Sequence, residues 1–248
     1  MQPGLKRGTE SIERELRDRE ALPARHELKF YINQGDAVYL ACLLDRLMQR
    51  DRNADEWGNY TVRSLYFDDM RDAAFYDKIN GVRERDKYRI RIYNYADDII
   101  LLERKTKVGD GIAKASLPIT RDFAEQIIAG DSAGLETHPH ELMRDVFRMM
   151  KTRLLAPVVL VDYIRQAYTY PLEHVRVTFD KCLHTGLWTR ELFNESQPTL
   201  PVPDISTILE VKYDRILPEF LKPLLASIDS TRSAISKYTL CRGFEPFS

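Results

Sequence analysis

Stretches with a two-residue hydrophobic period or β-branched apolar runs recur along the chain, the pattern of strands with one or both faces buried. They are RHELKFYI (25–32), TVRSLYFDD (61–69), KYRIRIYNY (87–95), IILLERKTKV (99–108), IAKASLPI (112–119), PVVLVDYIRQAYTY (157–170), VRVTFDKCLHT (175–185) and STILEVKYD (206–214). Helical periodicity falls between them. Asp36 is placed to cap a helix through Arg50 with Leu40, Leu43, Leu44, Leu47 and Met48 on one face. A short helix near 70–79 stops at Asn80 and Gly81, and Thr120 opens another with Phe123, Ala124, Ile127 and Ile128 inward. Further helices are expected near 140–153, on Leu142, Val146 and Met149, and near 218–228. Seven or eight mostly antiparallel strands with helices in the connections predict an α+β fold rather than a parallel βαβα one. One domain over 25–248 is expected, preceded by a charged arm at 1–24 that has little apolar surface to bury.

The polar side of these strands is charged. Lys87, Arg89 and Arg91 share one face of their strand, as do Glu27 and Lys29, Glu103, Lys105 and Lys107, Arg176 and Asp180, and Glu210 and Lys212. Lys114 and Arg165 add one cation each, Arg165 on the face of Tyr163. The opposite sides carry Leu28 and Phe30, Ile90 and Ile92, Ile164, Val175, Val177 and Phe179, or Leu209 and Val211; Arg104 alone breaks the rule in its strand. Cations two residues apart sit about 7 Å from each other, a repulsion of about 2 kcal/mol at an effective dielectric near 20. Two geometries relieve it. An open sheet turns the charged face to water, where Glu/Lys pairs across strands help a little; a barrel with helices outside turns it inward around a polyanion. The carboxylates Glu27, Glu103, Asp180 and Glu210 in the same face offer hard oxygens to Mg²⁺ or Mn²⁺.

Composition narrows the partner. The 37 basic and 38 acidic residues leave a net charge of -1, so no global field draws the chain to nucleic acid or lipid, and any anion affinity is local. Nucleic acid is not an expected partner. The longest apolar run, LLAPVVLV, is interrupted by Pro157 and too short to span a bilayer. Cys42, Cys182 and Cys241 form no spacing motif and read as reduced packing residues, which places the protein in the cytoplasm. GDGIAK lacks the ending of a phosphate loop and reads as a hairpin turn. HPHE (138–141) precedes a helix that His140 or Thr137 would cap, a simpler role than a metal site.

RHELKFYI, VRSLYFDD, KYRIRIY, LLERKTK, YIRQAY, VRVTFD, LEVKY and SKYTLCR together, in this order from Arg25 to Arg242, resemble the VTC (vacuolar transporter chaperone) polyphosphate polymerase domain, a branch of the triphosphate tunnel metalloenzymes. The resemblance implies an eight-stranded antiparallel tunnel barrel with helices outside, and ATP and polyphosphate as substrates. It implies catalytic phosphate contacts from Arg89, Arg91, Lys105, Arg165, Arg176 and Lys237. Phosphate would also be held by Lys29, Lys114 and Ser236, with Lys107 and Lys212 as wall cations that face phosphate or pair with acids. Glu210 would carry a divalent metal, Mn²⁺ or Mg²⁺, with Glu27 and Glu103 as further metal carboxylates, Glu103 either touching the metal or orienting Lys105.

Two departures matter. Hydrolase and cyclase branches carry an E-x-E-x-K strand, where this sequence has Arg25, Glu27 and Lys29; that favours polymerisation. Eukaryotic polymerases carry a basic residue where Ala234 stands. With no sensing or membrane segment in the sequence, the resemblance is to a stand-alone bacterial form, with any membrane partner separate. A tripolyphosphatase or nucleoside triphosphatase of the same superfamily, and a non-catalytic polyphosphate or nucleotide binder, are the alternatives.

Overall fold

The computed structural model describes residues 26–109 and 111–244; the expected arm at 1–24, Arg25 at the start of the first expected strand, and Asp110 of the GDG turn lie outside the described residues. The strands are β1 (His26–Ile32), β2 (Gln49–Arg50), β3 (Asn59–Asp68), β4 (Glu84–Tyr93), β5 (Ala96–Val108), β6 (Gly111–Pro118), β7 (Ala156–Tyr170), β8 (Val175–Leu187), β9 (Leu200–Pro201), β10 (Thr207–Tyr213) and β11 (Ser230–Arg232). The helices are α1 (Gln34–Leu47), α2 (Ala73–Ile79), α3 (Arg121–Ala129), α4 (Glu141–Arg153), α5 (Leu221–Ala226) and α6 (Lys237–Arg242). Eight long strands fall within the seven or eight expected from the pattern; β2, β9 and β11 are short additions. All pair antiparallel in the order β11-β1-β10-β8-β7-β3-β4-β5-β6, with β2 on β7 and β9 on β8.

The sheet is rolled, not flat. Lys105 on β5 lies 3.3 Å from Glu27 on β1, although these strands stand near opposite ends of the pairing order. Only curvature with the charged face inward brings them together. Among the described residues no strand pairing joins β6 to β11 or β1, so the tunnel wall is rolled without being closed by hydrogen bonds.

Helices cover the outer face. α1 packs Leu40 and Leu44 against Val177, Phe179, Leu209 and Val211. α3 and α4 pack Ile127, Leu142 and Val146 against Leu65, Ile90, Ile92 and Leu102. Each such side chain contributes about 2 kcal/mol when fully buried. α6 differs: Tyr238 and Cys241 join Tyr66, Val161, Tyr163 and Leu183, so this helix lies against the inner face. A left-handed Cys182 (φ 51°) accompanies a register shift between β7 and β8. The extra residue lets Asp180 and Thr185, of opposite parity, both face inward, where Thr185 donates to the carbonyl of Cys241 at 3.0 Å.

Local details depart from the sequence reading. α1 is capped by Asn33, whose side chain accepts from the Asp36 amide at 2.8 Å, and it ends at Leu47 rather than Arg50. Leu47 is exposed, because the helix ends there and Ala37 and Ala41 take the inward positions. Of the three cysteines only Cys241 is a packing residue; Cys42 and Cys182 are exposed. His140 caps α4, its Nδ1 accepting from the Leu142 amide.

Candidate active site

Three carboxylate-centred clusters organise the inner wall. The first surrounds Glu103, which is 2% exposed. Register sets Arg89 opposite Glu103 and Glu103 opposite Ser116. Arg89 donates to Glu103 at 2.5 Å and to the Tyr66 hydroxyl at 2.7 Å. Lys114 contacts the other carboxylate oxygen, and Arg91 lies 3.8 Å away while donating to Ser64 and Tyr163. Burial pushes Glu103 up, but the charges of Arg89, Arg91 and Lys114 outweigh it and hold the carboxyl well below the usual range.

The second centres on Asp180. Arg165 grips both its oxygens at 2.7 and 2.8 Å, and Lys237 of α6 reaches one at 2.5 Å. Against burial, these cations hold Asp180 at about 2. Arg165 and Lys237 also stand over the Tyr163 ring, at 5.2 and 4.9 Å.

The third joins β1 and β10, where Lys29 pairs with Glu210 across the strands and Glu27 with Lys212. Lys29 is 3.1 Å from Glu210 and 3.7 Å from Glu27; Lys212 is 3.0 Å from Glu210 and 3.4 Å from Glu27. Glu27 then reaches across to Lys105. Burial raises Glu210, yet Lys212 and Lys29 hold it well below the usual range. Lys29 is shifted upward, as Glu210 and Glu27 outweigh its burial.

Further along β4 and β5 cations stand opposite cations. Lys87 faces Lys105 directly, and Lys105 faces Lys114. Burial and neighbouring cations bring Lys87 down to about 7. Burial brings Lys105 and Lys114 down to about 8, against the opposing pull of Glu27 on one and Glu103 on the other.

Most of the residues expected to act together do share this wall: Lys29, Arg89, Arg91, Lys105, Lys114, Arg165, Lys212, Lys237, Glu27, Glu103 and Glu210 all enter the three clusters. Several pairings differ from expectation. Glu103 orients Arg89, Arg91 and Lys114, not Lys105, because the register places Lys105 opposite Lys87. Arg176 turns from Asp180 to Asp51 at 2.6 Å and the Tyr60 hydroxyl at 2.9 Å. Ser236 caps α6 by accepting from the Thr239 amide, and also accepts from Lys87 at 2.9 Å. Lys107, half-buried on β5, meets no described carboxylate. Ser64, Tyr66, Tyr60 and Asp51 were missed as site residues; the first three share one parity on β3, the only signal in the sequence.

Glu27 and Glu210 are the two carboxylates that come together, and Mg²⁺ or Mn²⁺ bound by one or two carboxylates plus phosphate oxygens fits that pair. Glu103 belongs to a separate cluster, held by Arg89 and Lys114, while the oxygens of Glu27 and Glu210 are held by lysines that a metal would have to displace. Among the described residues no group of three or more acidic, His or Cys side chains forms a closed metal cage, so substrate oxygens would complete the shell.

A family model described as the VTC domain matches residues 24–243. A putative adenylyl cyclase from Hippeastrum, described as having a dominant triphosphatase activity, has a similar fold: TM-score 0.54 and 16% identity over 90% of this chain and 98% of the other. A putative adenylate cyclase from Bacillus halodurans gives 0.51 and 13% over 86% and 97%. No curated protein matches significantly in sequence. Among the described residues no helix is long and apolar enough to cross a membrane.

Proposed function

Because the chain belongs to the VTC domain family, we propose that it is an ATP-dependent polyphosphate polymerase, and that its rolled inner wall is the active site. The supporting observation is the inner wall itself, where half-buried cations outnumber carboxylates, and where burial depresses Lys105 and Lys114 despite Glu27 and Glu103 beside them, and burial together with neighbouring cations depresses Lys87. Arg89, Arg91, Arg165 and Lys237, each fixed by an ion pair or a tyrosine, hold the triphosphate of ATP in line. A terminal oxygen of polyphosphate forms a bond to the γ-phosphorus, the bond to the bridging oxygen breaks, and ADP leaves with its electron pair. The fixed cations stabilise charge on the transferred group without reorganising. A divalent metal held by Glu210 and Glu27 would supply further charge neutralisation.

Triphosphate hydrolysis is the second reading, favoured by the activity described for the Hippeastrum protein. Hydrolysis profits from a base to prepare water, whereas Glu27, Glu103, Asp180 and Glu210 are all engaged by cations. A phosphate nucleophile is already ionised and needs none. Incubation with ATP and Mn²⁺ should yield ADP and long-chain polyphosphate together. Orthophosphate without polymer would replace polymerase by triphosphatase, and tight nucleotide binding without any turnover would leave a binding module.

A further inference from the structure

The cations of the inner wall divide into two kinds. Arg89, Arg91, Lys105, Lys114, Arg165, Lys237, Lys29 and Lys212 each lie within ion-pair distance of a carboxylate. Lys78, Arg85, Lys87 and Lys107, all half-buried, meet no described carboxylate. Their arrangement follows from register: Arg85 sits directly opposite Lys107 and Lys87 directly opposite Lys105, two successive like-charge rungs on one face of β4 and β5. Like charges in this relation are destabilising. Lys78, in the last turn of α2, joins them: after burial, the charges that bear on it are Arg85, Lys29 and Lys107, all positive.

These rungs continue the line of Arg89 and Glu103 outward. From Arg89 to Arg85 the strand advances about 13 Å, too far for one phosphate group to neutralise both ends. A linear polyanion laid along β4 and β5 would relieve each rung in turn. Resting on the polymerase reading, we propose that Arg85, Lys107 and Lys78 form a chain-holding subsite for the segment of polyphosphate that lies beyond the reacting phosphates.

Lys87 separates this subsite from the reacting end, being seated on Ser236 and over the Tyr238 ring at 4.8 Å. The subsite therefore reads chain length, while the three carboxylate-centred clusters read the triphosphate.

The test compares binding of tripolyphosphate and of long-chain polyphosphate to the full chain and to the double variant Lys78→Gln, Arg85→Gln. The unaltered protein should hold the long chain more tightly. The double variant should lose about tenfold in affinity for the long chain while tripolyphosphate affinity changes less than about twofold. Arg85→Lys, which keeps the charge, should retain most long-chain affinity, and matching melting temperatures exclude a folding defect. Unchanged long-chain affinity in the double variant overturns the subsite, as does equal weakening of both ligands. Failure of the unaltered protein to bind tripolyphosphate at all would instead overturn the active-site reading on which the subsite rests.

Discussion

Glu103 illustrates what holds an ionic tunnel wall together at the scale of one residue. A buried carboxylate is costly unless its partners are fixed, and here two arginines and a lysine meet it while Tyr66, Ser64 and Tyr163 hold the arginines. Glu103→Gln removes the charge that neutralises three gathered cations. Chemical denaturation should show a loss of about 3 kcal/mol at pH 7; a loss below about 1 kcal/mol would mean that the cations rearrange freely. The sign with pH follows from the depressed carboxyl. The stabilisation from Glu103 is complete above its unfolded value near 4.5 and is lost as pH falls through the lower folded value. The variant's deficit should therefore shrink in acid.

At the scale of elements, Arg104 is informative as the one cation on the wrong side of β5. It points outward to α4, where Asp145 accepts from it at 2.6 Å, from the Tyr88 hydroxyl at 2.5 Å, and from Arg148. Asp145 thus fastens α4 to two strands. Asp145→Ala should cost about 3 kcal/mol in denaturation midpoint analysis while leaving triphosphate affinity intact, since nothing in the cluster faces the tunnel; a loss of affinity would show that α4 positions the inner wall. Strand periodicity made β4, β5, β8 and β10 and their charged faces legible, because alternation is a local property. The partners were not legible, because register is not. Whether Arg176 meets Asp180 or Asp51, and whether Glu103 meets Lys105 or Arg89, depends on which strands pair and with what offset. The inward position of α6 was equally hidden: Ser236 and Lys237 signal phosphate chemistry, but Tyr238 and Cys241 look like any helix core.

At the scale of the whole molecule, the proposed polyanion ligand would be felt by several inner-wall lysines at once. Lys87 at about 7, with Lys105 and Lys114 at about 8, are partly neutral near pH 8 when no anion is present. A bound polyanion favours their charged forms, so binding takes up protons in the window above 7 and affinity falls as pH rises through it. Calorimetry of tripolyphosphate binding at pH 8, in buffers of different ionisation enthalpy, should register net uptake. Zero uptake or net release would show that these lysines do not face the ligand.

The pairing of β1 with β10, which sets His26 beside Tyr213, has a consequence for how the protein is made. The first described strand emerges from the ribosome early and its hydrogen-bonding partner late, an interval of roughly ten to forty seconds at ordinary rates of synthesis. Until then β8 is an unfinished edge, open to any passing strand. The alternating Arg176 and Asp180 on that edge discourage such encounters, as inward-pointing charge does in natural sheets. The quartet of Glu27, Lys29, Glu210 and Lys212 is completed only once β10 has been made, so this corner of the wall is set last, after β3 to β8 are there for it to close around.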